Sequence, residues 1–255
     1  MLATFAFLLA LQGTAPKTDT ALLSEVSAIQ PGQPFRVALK IKMAPEWHTY
    51  YLNPGDAGQA TQIKWKLPAG FTAGPIQWPV PQRMDFQGIA SYVYEDEVLL
   101  IQQITPPKSL KPGTAVKLGA HCTWLLCSTG CVPQSSDLSI SLQVGAKAVK
   151  SQSGAAQIEA AWQALPAVVS SIQPAASITG KAVTVLFTGL PEATKVQFIP
   201  ADVDSFGANE PTFSGKSGEL LMSLPLTAYA KSAPKVLKGI LVRPSGPVWI
   251  ETPVR

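Results

Sequence analysis

Phe35-Arg-Val-Ala-Leu-Lys-Ile-Lys-Met43 decides the fold class of this chain. Phe35, Val37, Leu39, Ile41 and Met43 alternate with Arg36, Ala38, Lys40 and Lys42. A period of two residues is that of a half-buried strand with one wet face. Outward from it the pattern returns, with Ile63, Trp65 and Leu67 set against Gln62, Lys64 and Lys66. Further strand runs fall at 91–95, 98–104, 116–122 and 138–144, the last alternating with Ser139, Ser141 and Gln143. Asn53-Pro-Gly55, Leu67-Pro-Ala-Gly70 and Lys111-Pro-Gly113 punctuate them as turns. With 23 prolines and 19 glycines among 255 residues, long helices are disfavoured. Short strands at this spacing predict an all-β protein built on an antiparallel sandwich.

The pattern breaks between Gly145 and Ser171. Lys147–Gly154 is small and polar, and Ile158, Ala161, Trp162 and Leu165 then fall at helical spacing before Pro166. Residues 146–171 read as a linker carrying one short helix. Strand runs resume at 183–187, 195–199, 220–226, 236–242 and 248–251, which predicts a second, smaller β-domain over 172–255.

The first residues, Met1-Leu-Ala-Thr-Phe-Ala-Phe-Leu-Leu-Ala-Leu11, form an apolar run too short to span a bilayer. Small residues follow at Gly13–Ala15, so 1–15 read as an export signal, although no Lys or Arg precedes the apolar run. Nothing later is long and apolar enough to cross a membrane, and the mature chain is expected to be soluble. The net charge of +4 is mild and no Lys/Arg stripe exists, which leaves no case for nucleic-acid binding.

Export gives the three cysteines their meaning, since disulfides persist outside the cytosol. Cys127-Ser-Thr-Gly-Cys131 suits a three-residue hairpin, with Gly130 expected to close it in the left-handed conformation. A disulfide across so short a loop stabilises a fold by only about 2 kcal/mol, against about 4 for a loop of about sixty residues. Directly opposed strand residues also sit slightly wide for an unstrained bridge, which favours reduction. A pair that contributes little stability is a candidate for thiol–disulfide exchange.

Cys122, an odd five residues before Cys127, is expected on the opposite strand face as a buried small hydrophobe. A Cys122–Cys127 bridge across a bulge is the second alternative. A metal site of His121, Cys122, Cys127 and Cys131 is a third, with copper(I) the ion that needs fewest thiolates. His48 reads as a surface or packing residue and Asp56 as a turn residue. No residue set calls for a cofactor.

Trp47-His-Thr-Tyr-Tyr-Leu-Asn-Pro-Gly-Asp-Ala-Gly58 and Ile63-Lys-Trp-Lys-Leu-Pro-Ala-Gly70 resemble the periplasmic N-terminal domain of DsbD-type thiol:disulfide interchange proteins. The likeness continues through Ile76-Gln-Trp-Pro-Val-Pro81, Tyr92-Val-Tyr-Glu-Asp-Glu-Val-Leu-Leu100 and Trp124-Leu-Leu-Cys-Ser-Thr-Gly-Cys-Val-Pro133. It covers residues 20–145. The remainder resembles the second β-domain of the suppressor-of-copper-sensitivity relatives.

The resemblance implies an immunoglobulin-like sandwich whose redox pair is Cys127 and Cys131. Phe86, in Asp85-Phe-Gln-Gly88, maps onto the aromatic cap loop of that family; its alternative is a core position. The implied activity is that of a periplasmic protein-disulfide reductase. Its electrons would come from a separate membrane thiol transporter or thioredoxin-like protein, because the chain carries neither module. Exported disulfide-containing proteins, including those of cytochrome maturation, would accept them. The rival expectation is a non-enzymatic binding module whose disulfide only pins a hairpin, with copper as a ligand.

Overall fold

The computed structural model describes residues 16–190, 195–208, 210–216 and 218–255. The expected export signal, 1–15, lies outside them. Among the described residues no helix is long and apolar enough to cross a membrane.

The first half supplies β1 (Asp19–Ser24), β2 (Val26–Ile29), β3 (Phe35–Lys42), β4 (His48–Gly55), β5 (Gln62–Lys66) and β6 (Thr72–Ala73). It continues with β7 (Gln82–Phe86), β8 (Ile89–Glu95), β9 (Glu97–Thr105), β10 (Ala115–Cys127), β11 (Cys131–Val144) and β12 (Val149–Lys150). Four strands, ordered β1-β3-β9-β6, form one sheet. The facing sheet runs β12-β2-β11-β10-β4-β8-β7, with β5 also paired to β10. This is the sandwich that alternation predicts: Leu39 and Ile41 from one sheet meet Tyr51, Tyr92, Leu118 and Trp124 from the other in a common core.

The outer face of β3 departs from expectation. Ala38, on the side read as wet, is fully buried with Ile101 against Ile158 of helix α1 (Ala155–Gln163). A nine-residue helix is marginal alone, so its packing holds it in place. Arg36 adds to that docking: its guanidinium pairs with Glu25 and Glu159 and lies 5.1 Å over the Trp162 ring. The segment read as a linker is therefore fastened to the first sandwich.

After α1 come β13 (Gln173–Thr179), β14 (Ala182–Leu190), β15 (Gln197–Pro200), β16 (Thr212–Lys216), β17 (Gly218–Pro225), β18 (Val236–Val242) and β19 (Val248–Pro253). They form two sheets, β13-β14-β17-β16 and β15-β18-β19. Val185, Phe187, Phe198, Leu220 and Leu237 are among the residues of the second core. The two cores touch, because Ile199 and Ile240 belong to the first one.

Polar contacts reinforce that junction beside the end of β4. Asn53, fully buried, donates from Nδ2 to the carbonyls of Asp202 and Phe206, each at 3.0 Å. Asp56 accepts from the backbone N–H of Ala90 at 3.2 Å and of Ala208 at 3.1 Å. Asp56 is thus more than a turn residue, because one carboxylate ties β8 to the second half of the chain.

Candidate functional site

β10 and β11 pair in register over thirteen positions, from Ala115↔Gln143 up to Cys127↔Cys131. Ser128–Gly130 closes the hairpin, with the Ser128 N–H donating to the Gly130 carbonyl at 3.0 Å. Gly130 is not in the left-handed region, contrary to expectation. A three-residue loop closed by that short hydrogen bond does not require it. Directly opposed, with Cα atoms 4.1 Å apart, the two cysteines form a disulfide.

The two sulfurs have unequal surroundings. Cys127 is 1% exposed and packs with Tyr50 and Val93, with Met84 and Leu125 beside them. Cys131 is exposed on the rim. The cause lies in the pairing at this end of the sheet: β10 is flanked here by β11 and β4, whereas β11 pairs with β2 only at Gln143 and Val144, and Cys131 begins its strand just after an exposed turn.

Across the sheet, Cys127 stands opposite His48 on β4, and His48 stands opposite Glu95 on β8. Cys131, Cys127, His48 and Glu95 therefore form one row over four strands. Two residues along β4, on the same face as His48, Tyr50 turns its hydroxyl back to the row. The Tyr50 hydroxyl lies 3.9 Å from Cys131 Sγ and 3.3 Å from His48 Nε2. The two rings meet edge to face, with centroids 5.3 Å apart.

Burial moves both titrations. It raises the Tyr50 phenol and lowers the His48 imidazole, with Glu95 pulling His48 back up. Gly58 holds the tyrosine in place. A Cβ at Gly58 would lie 2.2 Å from the Tyr50 ring, and the backbone there has φ +116°. Sequence reasoning left His48 and Tyr50 out of the site. The available signal was their shared parity on one strand, but no local pattern says which strand will lie beside Cys127.

Phe86 ends β7 at a two-residue turn, where Gln87 and Gly88 both take positive φ, 52° and 83°. That is the geometry of a tight hairpin. Phe86 is 52% exposed and its cross-strand partner Ile89 is 48% exposed, so a core position is excluded. By strand parity Phe86 shares the face of Met84, the β7 residue that packs beside Cys127.

Cys122 is free, fully buried in the sandwich core, and on the face opposite Cys127, as its spacing predicts. Burial pushes its thiol up to about 11, with the Asp137 charge adding to the effect. His121 points away from Cys122 and sits 3.3 Å from Asp137 Oδ1. The set His121, Cys122, Cys127 and Cys131 is not brought together, and neither is a Cys122–Cys127 bridge. Among the described residues no group of three or more His, Cys, Asp or Glu could hold a metal ion.

Residues 18–143 match the family model for the thiol:disulfide interchange protein DsbD, N-terminal. The first half of the chain belongs to the DsbD N-terminal family. The fold of the DsbD-type chain extends further than that match. The crystal structure of the N-terminal periplasmic domain of ScsB from Proteus mirabilis superposes with a TM-score of 0.69. It is 16% identical and covers 91% of each chain, so both sandwiches of this chain have counterparts in one solved fold. The major pilin subunit BcpA*(D312A) of Bacillus cereus is 10% identical over 94% of this chain and 66% of its own, with a TM-score of 0.30. That value is too low to argue from. No curated protein matches the sequence.

Thiol:disulfide interchange is the business of the DsbD N-terminal family, and this chain carries a disulfide at a hairpin tip.

Proposed function

We propose that the chain is an exported, periplasmic protein-disulfide reductase module that works through Cys127 and Cys131. It would span two β-domains, 20–145 and 172–255, joined by 146–171. One observation carries this reading: a disulfide at a hairpin tip with one exposed sulfur and one buried sulfur.

Access selects the order of events. A donor thiolate reaches Cys131 Sγ and forms a new S–S bond, while the Cys127–Cys131 bond breaks and its electron pair leaves on Cys127 Sγ. The second donor thiol, as thiolate, then attacks the donor sulfur of the mixed disulfide. Cys131 departs as thiolate, the donor is oxidised and this chain is reduced. In the forward direction Cys131 attacks the disulfide of an exported acceptor, and Cys127 resolves the intermediate. The donor is a membrane thiol transporter or a thioredoxin-like protein. Phe86, exposed on the face that leads to Cys127, is the candidate cap that limits access when no partner is bound.

The test is trapping. Cys127→Ser leaves Cys131 free and accumulates a mixed disulfide with a thioredoxin-like protein, read on a non-reducing gel. Cys131→Ser leaves only the buried thiol and traps little. Equal trapping by both variants, or none by either, would overturn the reading.

A further inference from the structure

Exposure explains which sulfur is attacked, but not how Cys131 becomes a thiolate. A free cysteine has a pKa of about 8.5, so most of it is protonated near neutrality. The groups around Cys131 bear on this. The only hydrogen-bonding partner of its sulfur among the described residues is the Tyr50 hydroxyl, at 3.9 Å. The partner of that hydroxyl on its other side is His48 Nε2, at 3.3 Å. His48 is 8% exposed and sealed by the strands on either side. The groups facing it are Tyr50 on its own strand, the Cys127 sulfur on β10 and the Glu95 carboxylate on β8.

We infer that Tyr50 and His48 form a proton relay that activates Cys131, with Tyr50 the catalytic residue and His48 a positioning base acting through it. This rests on the exchange reading of the disulfide. In the reduced protein the Cys131 S–H proton passes to Tyr50 Oη as the phenolic proton passes to His48 Nε2. The products are a Cys131 thiolate, a neutral tyrosine donating to it, and an imidazolium beside Glu95. One proton leaves sulfur, one arrives on nitrogen, and no electron moves. The imidazole begins neutral, because burial holds His48 below its ordinary value, and the relay uses the tautomer whose proton sits on Nδ1 and whose Nε2 accepts. Glu95 opposes that shift and stabilises the charged ring once it forms. Gly58 contributes by leaving room for the ring of Tyr50.

The test uses the reduced full chain and iodoacetamide, with alkylation of the Cys131 peptide followed by mass spectrometry across pH 4–10. It does not depend on a protein partner, so it separates this inference from the exchange reading, which the trapping experiment tests. Wild-type Cys131 is expected to alkylate with an apparent pKa about one unit below the ordinary thiol, from a hydrogen bond to the charged form. Tyr50→Phe and His48→Gln each return that pKa to the ordinary range and slow alkylation at pH 7 about tenfold. The double variant slows it no further, because the two act in series. His48→Gln retains hydrogen-bonding capacity but cannot hold the proton, which separates a base from a packing residue. Each variant is first shown to re-form the Cys127–Cys131 disulfide and to keep the wild-type circular dichroism; Tyr50→Leu serves in place of a Tyr50→Phe that does not, and His48→Asn in place of a His48→Gln that does not. An unchanged pH profile in folded variants, or a double variant with the product of the single effects, overturns the relay.

Discussion

Reducing Cys127–Cys131 should cost the first sandwich only about 2 kcal/mol. The bond closes a loop of about five residues, and the chain-entropy relation gives about 2 kcal/mol for that length. The native contacts point the same way: thirteen register pairs already hold β10 to β11, and Cys127 sits in an apolar pocket that suits a thiol as well as a disulfide. By the thermodynamic cycle, the same energy lowers the reduction potential of the folded pair by about 40 mV relative to the unfolded chain. A shift of that size leaves the pair open to exchange. The assay is equilibrium urea unfolding with and without a phosphine reductant. The fluorescence of Trp47, Trp65, Trp78 and Trp124 reports on the first core, to which all four belong or pack. A loss of 5 kcal/mol or more, or unfolding on reduction alone, would refute this reasoning. It would instead make the bond a structural pin, as the rival binding-module reading requires.

Further outcomes are expected at two other positions. Gly58→Ala combines a strained positive φ with a Cβ driven into the Tyr50 ring, and should destabilise by about 2–5 kcal/mol in the same urea assay. Unchanged stability would mean that the Gly58–Tyr50 packing is not rigid. Cys122 supplies a pH signature: burial pushes its folded thiol up to about 11, well above the ordinary thiol, so the unfolded chain loses its proton first. Its contribution to stability is therefore full below the ordinary thiol value and is lost as pH rises towards about 11. Wild type should lose stability relative to Cys122→Ala across that window, as measured by urea midpoints at each pH. Parallel curves would place the thiol outside the core.

Much of the architecture was legible in the order of residues. Phe35–Met43 and Ile63–Leu67 show which residues face inward, because a strand's two faces are written into alternate positions. Parity on β10 likewise assigns Cys122 to the core, away from Cys127. The short spacing of Cys127 and Cys131 announces a hairpin-tip disulfide, and the motif series from Trp47 to Pro133 announces the family. The turn at Ser128–Gly130 was read less well, because three-residue loops have more than one way to close. Ala38 was misread since a strand pattern cannot tell that a helix more than a hundred residues later will cover its wet side.

The opposite fates of the two sulfurs were never in the local sequence. Both cysteines lie on strands inside the sheet order, and it is the pairing at this end of the sheet that separates them: Cys127 meets His48 of β4, whereas β11 pairs with β2 only at Gln143 and Val144, far from Cys131. The same holds for His48 and Tyr50, about eighty residues from the cysteines, which long-range register between β4 and β10 brings to the disulfide. Alternation along a strand is a local property and can be read from one dimension. Which strands become neighbours depends on burying both faces of every sheet at once, and that was decided only when the whole chain packed.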